Sequence, residues 1–278
     1  MENEHDMSLQ NKTIAFIGAG NMGEALIRGL LAAGTVRPQQ IMASDLKTDR
    51  LQLFSKAFGI RTTTNNAAAV AAANIVLLAV KPQQITEVLG SLRDQMTMDK
   101  LLISIAAGVP TARIEKELGK TPRVIRVMPN TPALVGAGAA ALCKGKYATD
   151  DDLATAEAIL DAVGITVRTE EKFLDAITAL SGSGPAYIFL VAEAMIKAGI
   201  EMGLEEDVAT TLTIQTVLGA AKLMLESGEP PADLRRKVAS PGGTTEAALE
   251  VMSERKLVDI FVEAIKAAAR RSRELSGA

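Results

Sequence analysis

Three glycines, Gly18, Gly20 and Gly23, stand in G-x-G-x-x-G spacing directly after the apolar run Ile14-Ala15-Phe16-Ile17 and before the helical stretch Glu24 to Ala33. Each would have a task in holding a dinucleotide pyrophosphate. Gly18 allows a tight turn, Gly20 lets the backbone approach the phosphates, and Gly23 lets helix and strand pack closely, while free N–H groups around Asn21 and Met22 face the anion. A lone motif of this kind also occurs as a plain structural turn. Its place between an apolar strand and a helix is what favours binding.

The next β-branched run ends at Ala43-Ser44-Asp45. An acid at that point ordinarily hydrogen-bonds the adenosine ribose and repels a 2′-phosphate, which favours NAD. Lys47 and Arg50 lie just beyond and can supply the charge a 2′-phosphate wants, or can be solvated charges opening a helix. These residues leave NAD(H) and NADP(H) both open. Ala79-Val80-Lys81-Pro82 and Ala106-Ala107-Gly108 leave the ends of later strands and should border the same cofactor, with Lys81 either a charged partner or merely exposed. Between Pro129 and Pro132, Asn130 can orient the nicotinamide carboxamide or the substrate; a plain turn is the alternative.

A second cluster lies near the C-terminus. Ser240, Gly242, Gly243, Thr244 and Thr245 crowd the start of a helix, an end that welcomes a carboxylate, although such residues are also ordinary loop chemistry. In Ser181-Gly182-Ser183-Gly184-Pro185, Ser183 reads as an N-cap with Pro185 in the first turn of a helix.

Composition removes several chemistries. The only histidine is His5 and the only cysteine Cys143, so there is no Ser-His-Asp triad, no Cys-His pair, no zinc cluster and no internal disulfide. A reducing, cytoplasmic setting and no bound metal are expected. The net charge of -3, from 30 basic and 33 acidic residues without a basic stripe, argues against nucleic acid. No run reaches the ~18 uninterrupted apolar residues of a membrane helix, because the Ala186 to Met195 stretch meets Glu193 and then Lys197. No membrane partner is expected. Residues 1–11 read as a flexible tail without a secretory signal.

The elements that must position these residues come in two blocks. Over residues 12–169, strand runs at Thr13 to Ile17, Gln40 to Ser44, Asn74 to Ala79, Leu101 to Ile105 and Arg123 to Met128 alternate with helical segments. The third and fourth are apolar on both faces, as in covered parallel strands. Residues 170–278 read as helices at about 183–203, 205–227, 242–253 and 255–276. The fold class is therefore α/β, an N-terminal doubly wound parallel sheet of Rossmann type followed by an all-helical C-terminal domain. Ala186 to Met195 is apolar nearly all round, more than a domain of this size can cover by itself, so interleaving with a second subunit is expected.

Taken together, Phe16 to Gly23, Ala79-Val80-Lys81-Pro82, Ala179 to Ala186 and Ser240-Pro241-Gly242-Gly243-Thr244-Thr245 resemble the pyrroline-5-carboxylate reductase family over nearly the whole chain. The last two motifs are specific to that family. The resemblance implies reduction of 1-pyrroline-5-carboxylate to L-proline, an interleaved homodimer or higher homo-oligomer, and NADPH preferred over NADH. It places Val238, Ser240, Gly243, Thr244 and Thr245 around the substrate, with Thr245 bonding the ring nitrogen and backbone amides from Gly242 onward holding the carboxylate. Asp45 departs from the pattern by standing where the family has a hydroxyl for the cofactor phosphate.

A cyclic imine suits a chain without a positioned histidine, because its protonated nitrogen already makes the carbon electrophilic. Two rivals stand beside it. A β-hydroxyacid dehydrogenase shares the two-domain plan but carries a lysine on the helix after its glycine-rich segment, and here no lysine follows Pro185 until Lys197. A non-catalytic NAD(P) sensor would keep the glycine loop without a substrate site.

Overall fold

The computed structural model describes residues 9–119 and 121–276. Five βα units follow in series: β1 (Ile14–Ile17) with α1 (Asn21–Ala32), β2 (Ile41–Ser44) with α2 (Thr48–Phe58), β3 (Arg61–Thr63) with α3 (Asn66–Ala71), β4 (Ile75–Leu78) with α4 (Ile85–Leu92), and β5 (Leu101–Ser104) with α5 (Thr111–Leu118). β6 (Arg123–Met128), β7 (Gly138–Lys144), α6 (Asp150–Leu160) and β8 (Gly164–Arg168) complete one eight-stranded sheet, ordered β3-β2-β1-β4-β5-β6-β7-β8. β1 to β6 pair in parallel, β7 runs antiparallel to β6, and β8 is parallel to β7. The order reverses between β1 and β4, which opens a crevice beyond their C-terminal ends.

Alternation along the strands divides the core between the two faces. Phe16, Leu77 and Ile103 pack with Leu26, Phe54 and Ile159 on one side, whereas Ile17, Val76 and Leu102 pack with Val70, Leu89 and Ile114 on the other. Burying each large side chain stabilises by ~1.5–3 kcal/mol, which is why β1, β4 and β5 can be apolar throughout.

Three strands carry too little pattern to be expected from sequence. β3 is short and polar, β7 is alanine-rich, and edge strand β8 turns Ile165 and Val167 outward. Sheet pairing, not local propensity, makes them strands.

The expected tail needs correction at its inner end. Residues 1–8, His5 among them, lie outside the described residues, but Leu9 is fully buried and the Gln40 amide donates to the carbonyls of Leu9, Gln10 and Lys12 at 3.1, 3.1 and 2.8 Å. The described chain is thus tied down before residue 12.

The chain divides into two compact units, one reaching Ser183 and resuming at Ala268, the other Gly184–Ala267. This differs from a boundary at residue 170. In the first unit, Leu174 of α7 (Leu174–Ile177) packs on Ala141 and Cys143, and Ser272 Oγ donates to Asp175 at 2.6 Å, so both segments belong with the sheet. Ser183 is no N-cap either. α7 continues through a π-turn, Thr178–Gly182, in which the Ser183 N–H donates to Thr178 O at 2.8 Å.

The second unit contains α8 (Gly184–Glu201), α9 (Glu206–Ser227), α10 (Pro231–Val238), α11 (Thr244–Glu254) and the start of α12 (Leu257–Ser276). α10 has no counterpart in the sequence reading. α8 and α9 approach closely where a Cβ on Gly199 would stand 3.0 Å from the Ala209 Cβ. Most of their remaining apolar surface is bare, with Phe189, Leu190, Leu212 and Leu225 61%, 64%, 56% and 83% exposed.

The helical stretches Glu171–Glu201 and Glu206–Ser227 are long and apolar enough to cross a membrane by length and composition, with mean hydropathies of 1.3 and 1.4. The apolar run itself is broken, as expected, at Glu193 and Lys197. An average over a window tolerates Glu193 and Lys197, where a demand for an uninterrupted run does not.

Candidate functional site

The crevice between β1 and β4 holds a cleft of about 880 Å³. That lies within the ~300–1,000 Å³ typical of small-molecule sites. Its wall brings together Gly18, Gly20, Asn21, Ser44, Asp45, Lys47, Ala79, Val80 and Lys81 of the expected cofactor residues.

The glycine geometry follows from crowding on one side and space on the other. Gly18 has φ +104°, its N–H donates to Ser44 O at 2.7 Å, and a Cβ there would stand 2.6 Å from the Ala79 carbonyl oxygen. A Cβ on Gly23 would meet Gly18 O at 2.9 Å, which explains the packing role of the third glycine. A Cβ on Gly20 would meet nothing within 4 Å, so the loop leaves room where a pyrophosphate would lie. Gly20 is also the N-cap of α1 and makes no side-chain cap bond. The first N–H groups of the helix are therefore left for an anion. The residues present fit a dinucleotide.

At the other end of the cleft, Asp45 Oδ2 accepts the Ala19 N–H at 2.7 Å and Oδ1 accepts the Lys47 N–H at 2.9 Å. Ser44 is buried and its hydroxyl donates to Asn66 Oδ1 at 2.7 Å. Arg50 donates through Nε to Ala19 O and through Nη2 to Glu24, both at 3.0 Å, and lies over the Phe54 ring at 5.2 Å.

Met22, Gly23, Pro82, Ala106, Ala107, Gly108 and Asn130 lie outside the lining of this cleft. The Asn130 amide, offered to a ligand by the sequence reading, is committed within the protein. It donates to Ser181 Oγ at 3.2 Å and accepts from the Ala139 N–H at 2.9 Å, tying its turn to β7 and to the π-turn. Thr64, Asn65 and Asn66 were missed although they line the wall, because they follow β3, itself unread. The rule that loops after parallel strands carry the site would have found them once that strand was known.

In the second unit, Val238 ends α10 and Ser240 to Gly243 turn into α11, so Thr244 and Thr245 are its first two residues. Gly242 has φ +69°, and a Cβ on Gly243 would stand 2.6 Å from Ser240 Oγ. The positive φ favours glycine at 242, and at 243 a side chain would have to move the Ser240 hydroxyl aside. The Gly242 N–H donates to Glu246 at 2.6 Å, so the turn already presents a backbone donor to a carboxylate.

A relative from Methanosarcina acetivorans named pyrroline-5-carboxylate reductase is 45% identical over 96% of this chain and 99% of its own length. This chain belongs to the pyrroline-5-carboxylate reductase family. Residues 171–275 match the family described as pyrroline-5-carboxylate reductase dimerisation, and residues 13–108 match that described as NADP oxidoreductase, coenzyme F420-dependent. The solved reductase from Coxiella burnetii is 43% identical, with a TM-score of 0.90 over 96% of this chain and 99% of that one. The Plasmodium falciparum enzyme, solved with NADP bound, is 30% identical with a TM-score of 0.87, again over 96% and 99%. Pyrroline-5-carboxylate reductases thus match both units, as a sheet domain at the N-terminus and a dimerisation domain after it.

Proposed function

We propose that this chain is an NAD(P)H-dependent pyrroline-5-carboxylate reductase that converts 1-pyrroline-5-carboxylate to L-proline, the last step of proline biosynthesis. The observation that carries this reading is the cleft at the switch point, with its open Gly20 and uncapped α1, in a chain of this family. Bound there, a reduced nicotinamide supplies a hydride to the imine carbon.

The protein's part is positioning and charge. Gly18, Gly20, Asn21, Met22 and Gly23 hold the pyrophosphate, and Asp45 holds the adenosine ribose. Ala79-Val80-Lys81-Pro82, Ala106-Ala107-Gly108 and the Asn130 turn border the cofactor, the last through backbone because its amide is engaged. Backbone amides from Gly242 to Thr245 hold the substrate carboxylate, flanked by Val238 and Ser240. The Thr245 hydroxyl orients the ring nitrogen, and either that nitrogen is already protonated when the carbon accepts the hydride or the hydroxyl is the group that protonates it beforehand.

The enzyme is a homo-oligomer in this reading. α8 and α9 interleave with those of a second copy, covering in a soluble, cytoplasmic assembly the apolar faces that make these helices long enough for a membrane. The full chain should oxidise NADPH or NADH with pyrroline-5-carboxylate and not with small 2-keto or 3-keto acids. Keto-acid turnover would support the β-hydroxyacid dehydrogenase rival, and cofactor binding without any turnover a sensor.

A further inference from the structure

The two nicotinamide dinucleotides differ by one phosphate on the adenosine ribose, so the end of β2 decides between them. The charged groups there are Asp45, Lys47, Asp49 and Arg50, with Glu24 of α1 paired to Arg50, while Lys81 and Glu87 line the same cleft further along. We infer that Asp45 makes this enzyme prefer NADH to NADPH, an inference that rests on the dinucleotide reading of the cleft.

The carboxylate cannot turn aside. Its two oxygens are held by the N–H groups of Ala19 and Lys47, at 2.7 and 2.9 Å, one from the glycine loop and one from the start of α2. A carboxylate offers about four acceptor sites, so those left over can take two ribose hydroxyls. A phosphate in place of the 2′-hydroxyl would set a second anion against a fixed first one, an arrangement that costs far more than a surface ion pair returns.

Of the cations nearest Asp45, one is already paired with an acid and the other is exposed. Arg50 is bound to Ala19 O and to Glu24, whose other oxygen takes Arg28 at 2.8 Å. The Arg50 bonds use two of the five guanidinium N–H groups, and Glu24 already neutralises the charge that a 2′-phosphate would need. Lys47 is exposed and in no ion pair among the described residues, a mobile charge in solvent that gains little from one phosphate. Nor does a neutral donor take its place, since the buried Ser44 hydroxyl already donates to Asn66. The reading differs from the NADPH preference implied by family resemblance, and the reason is this one side chain.

Calorimetric titration of the assembled protein with NADH and with NADPH tests it apart from turnover. The wild type should bind NADH at least about tenfold tighter, and Asp45→Ser should shift the ratio of the two dissociation constants about tenfold or more toward NADPH. Asp45→Asn removes the charge while keeping an oxygen for the Ala19 or Lys47 amide, so an equal shift there assigns the preference to charge; thermal unfolding checks that both variants are folded. Equal or tighter NADPH binding by the wild type, or folded variants with an unchanged ratio, overturns the inference. Binding of neither dinucleotide by the wild type would overturn the cofactor reading of the cleft, and this inference with it.

Discussion

A Cβ on Gly18 would stand 2.6 Å from the carbonyl oxygen of Ala79, so the first glycine of the loop touches the end of β4 at a place where only hydrogen fits. Gly18→Ala therefore meets both a clash and the strain of φ +104°, and should cost ~2–4 kcal/mol. Gly20→Ala meets open space. It should leave stability within about 0.5 kcal/mol while weakening dinucleotide binding about tenfold or more. Thermal unfolding and a binding titration, run on both variants, separate the two roles.

Thr245 is placed by the turn at Gly242 and Gly243, the first of them in the left-handed region at φ +69°. If its hydroxyl delivers the proton, Thr245→Ala should lower kcat about 100-fold, with dinucleotide affinity unchanged and Thr245→Ser recovering most of the loss. Full turnover by the alanine variant would remove Thr245 from the mechanism.

Leu190, 64% exposed on α8, has few neighbours of its own unit to cover it. Leu190→Lys should dissociate the oligomer, because an unpaired charge in a dry interface costs ~3–5 kcal/mol. Light scattering of the dilute variant should report the mass of a single chain, whereas an unchanged mass would take α8 out of the interface.

Burial, and then the negative charge of Glu171, push the Cys143 thiol up to about 12 from 9.0. Around pH 8 it should stay protonated, so iodoacetamide should label it only as fast as the sheet domain opens. Because the folded value lies above the unfolded one, this group's stabilisation is complete below pH 9.0 and is lost as the pH rises toward about 12. Denaturation titrations across that window should show stability falling, and Cys143→Ala should flatten the fall.

Much of the architecture could be read along the chain because its signals are local. The apolar run of β1, the glycines after it and the amphipathic start of α1 lie within about twenty residues, and sterics alone assign each a task. β4 and β5 announce covered strands by being apolar on both faces. The Ser240 to Thr245 turn likewise carries its geometry in its own glycines.

Other features belong to groups that meet only when the sheet has closed. β7 and β8 are strands because they pair. Asp45 finds the Ala19 N–H 26 residues away, Arg50 finds Glu24 at the same separation, and Asn130 finds Ser181 at 51. No periodicity encodes such hydrogen bonds, since each depends on two segments being held at a fixed distance by a core neither belongs to. By itself the sequence determined the dinucleotide loop, the two-part plan and the family. The tertiary structure alone decided that Arg50 pairs with Glu24, that the Asn130 amide is engaged, and that the Asp45 carboxylate is held at the cleft by the N–H groups of Ala19 and Lys47.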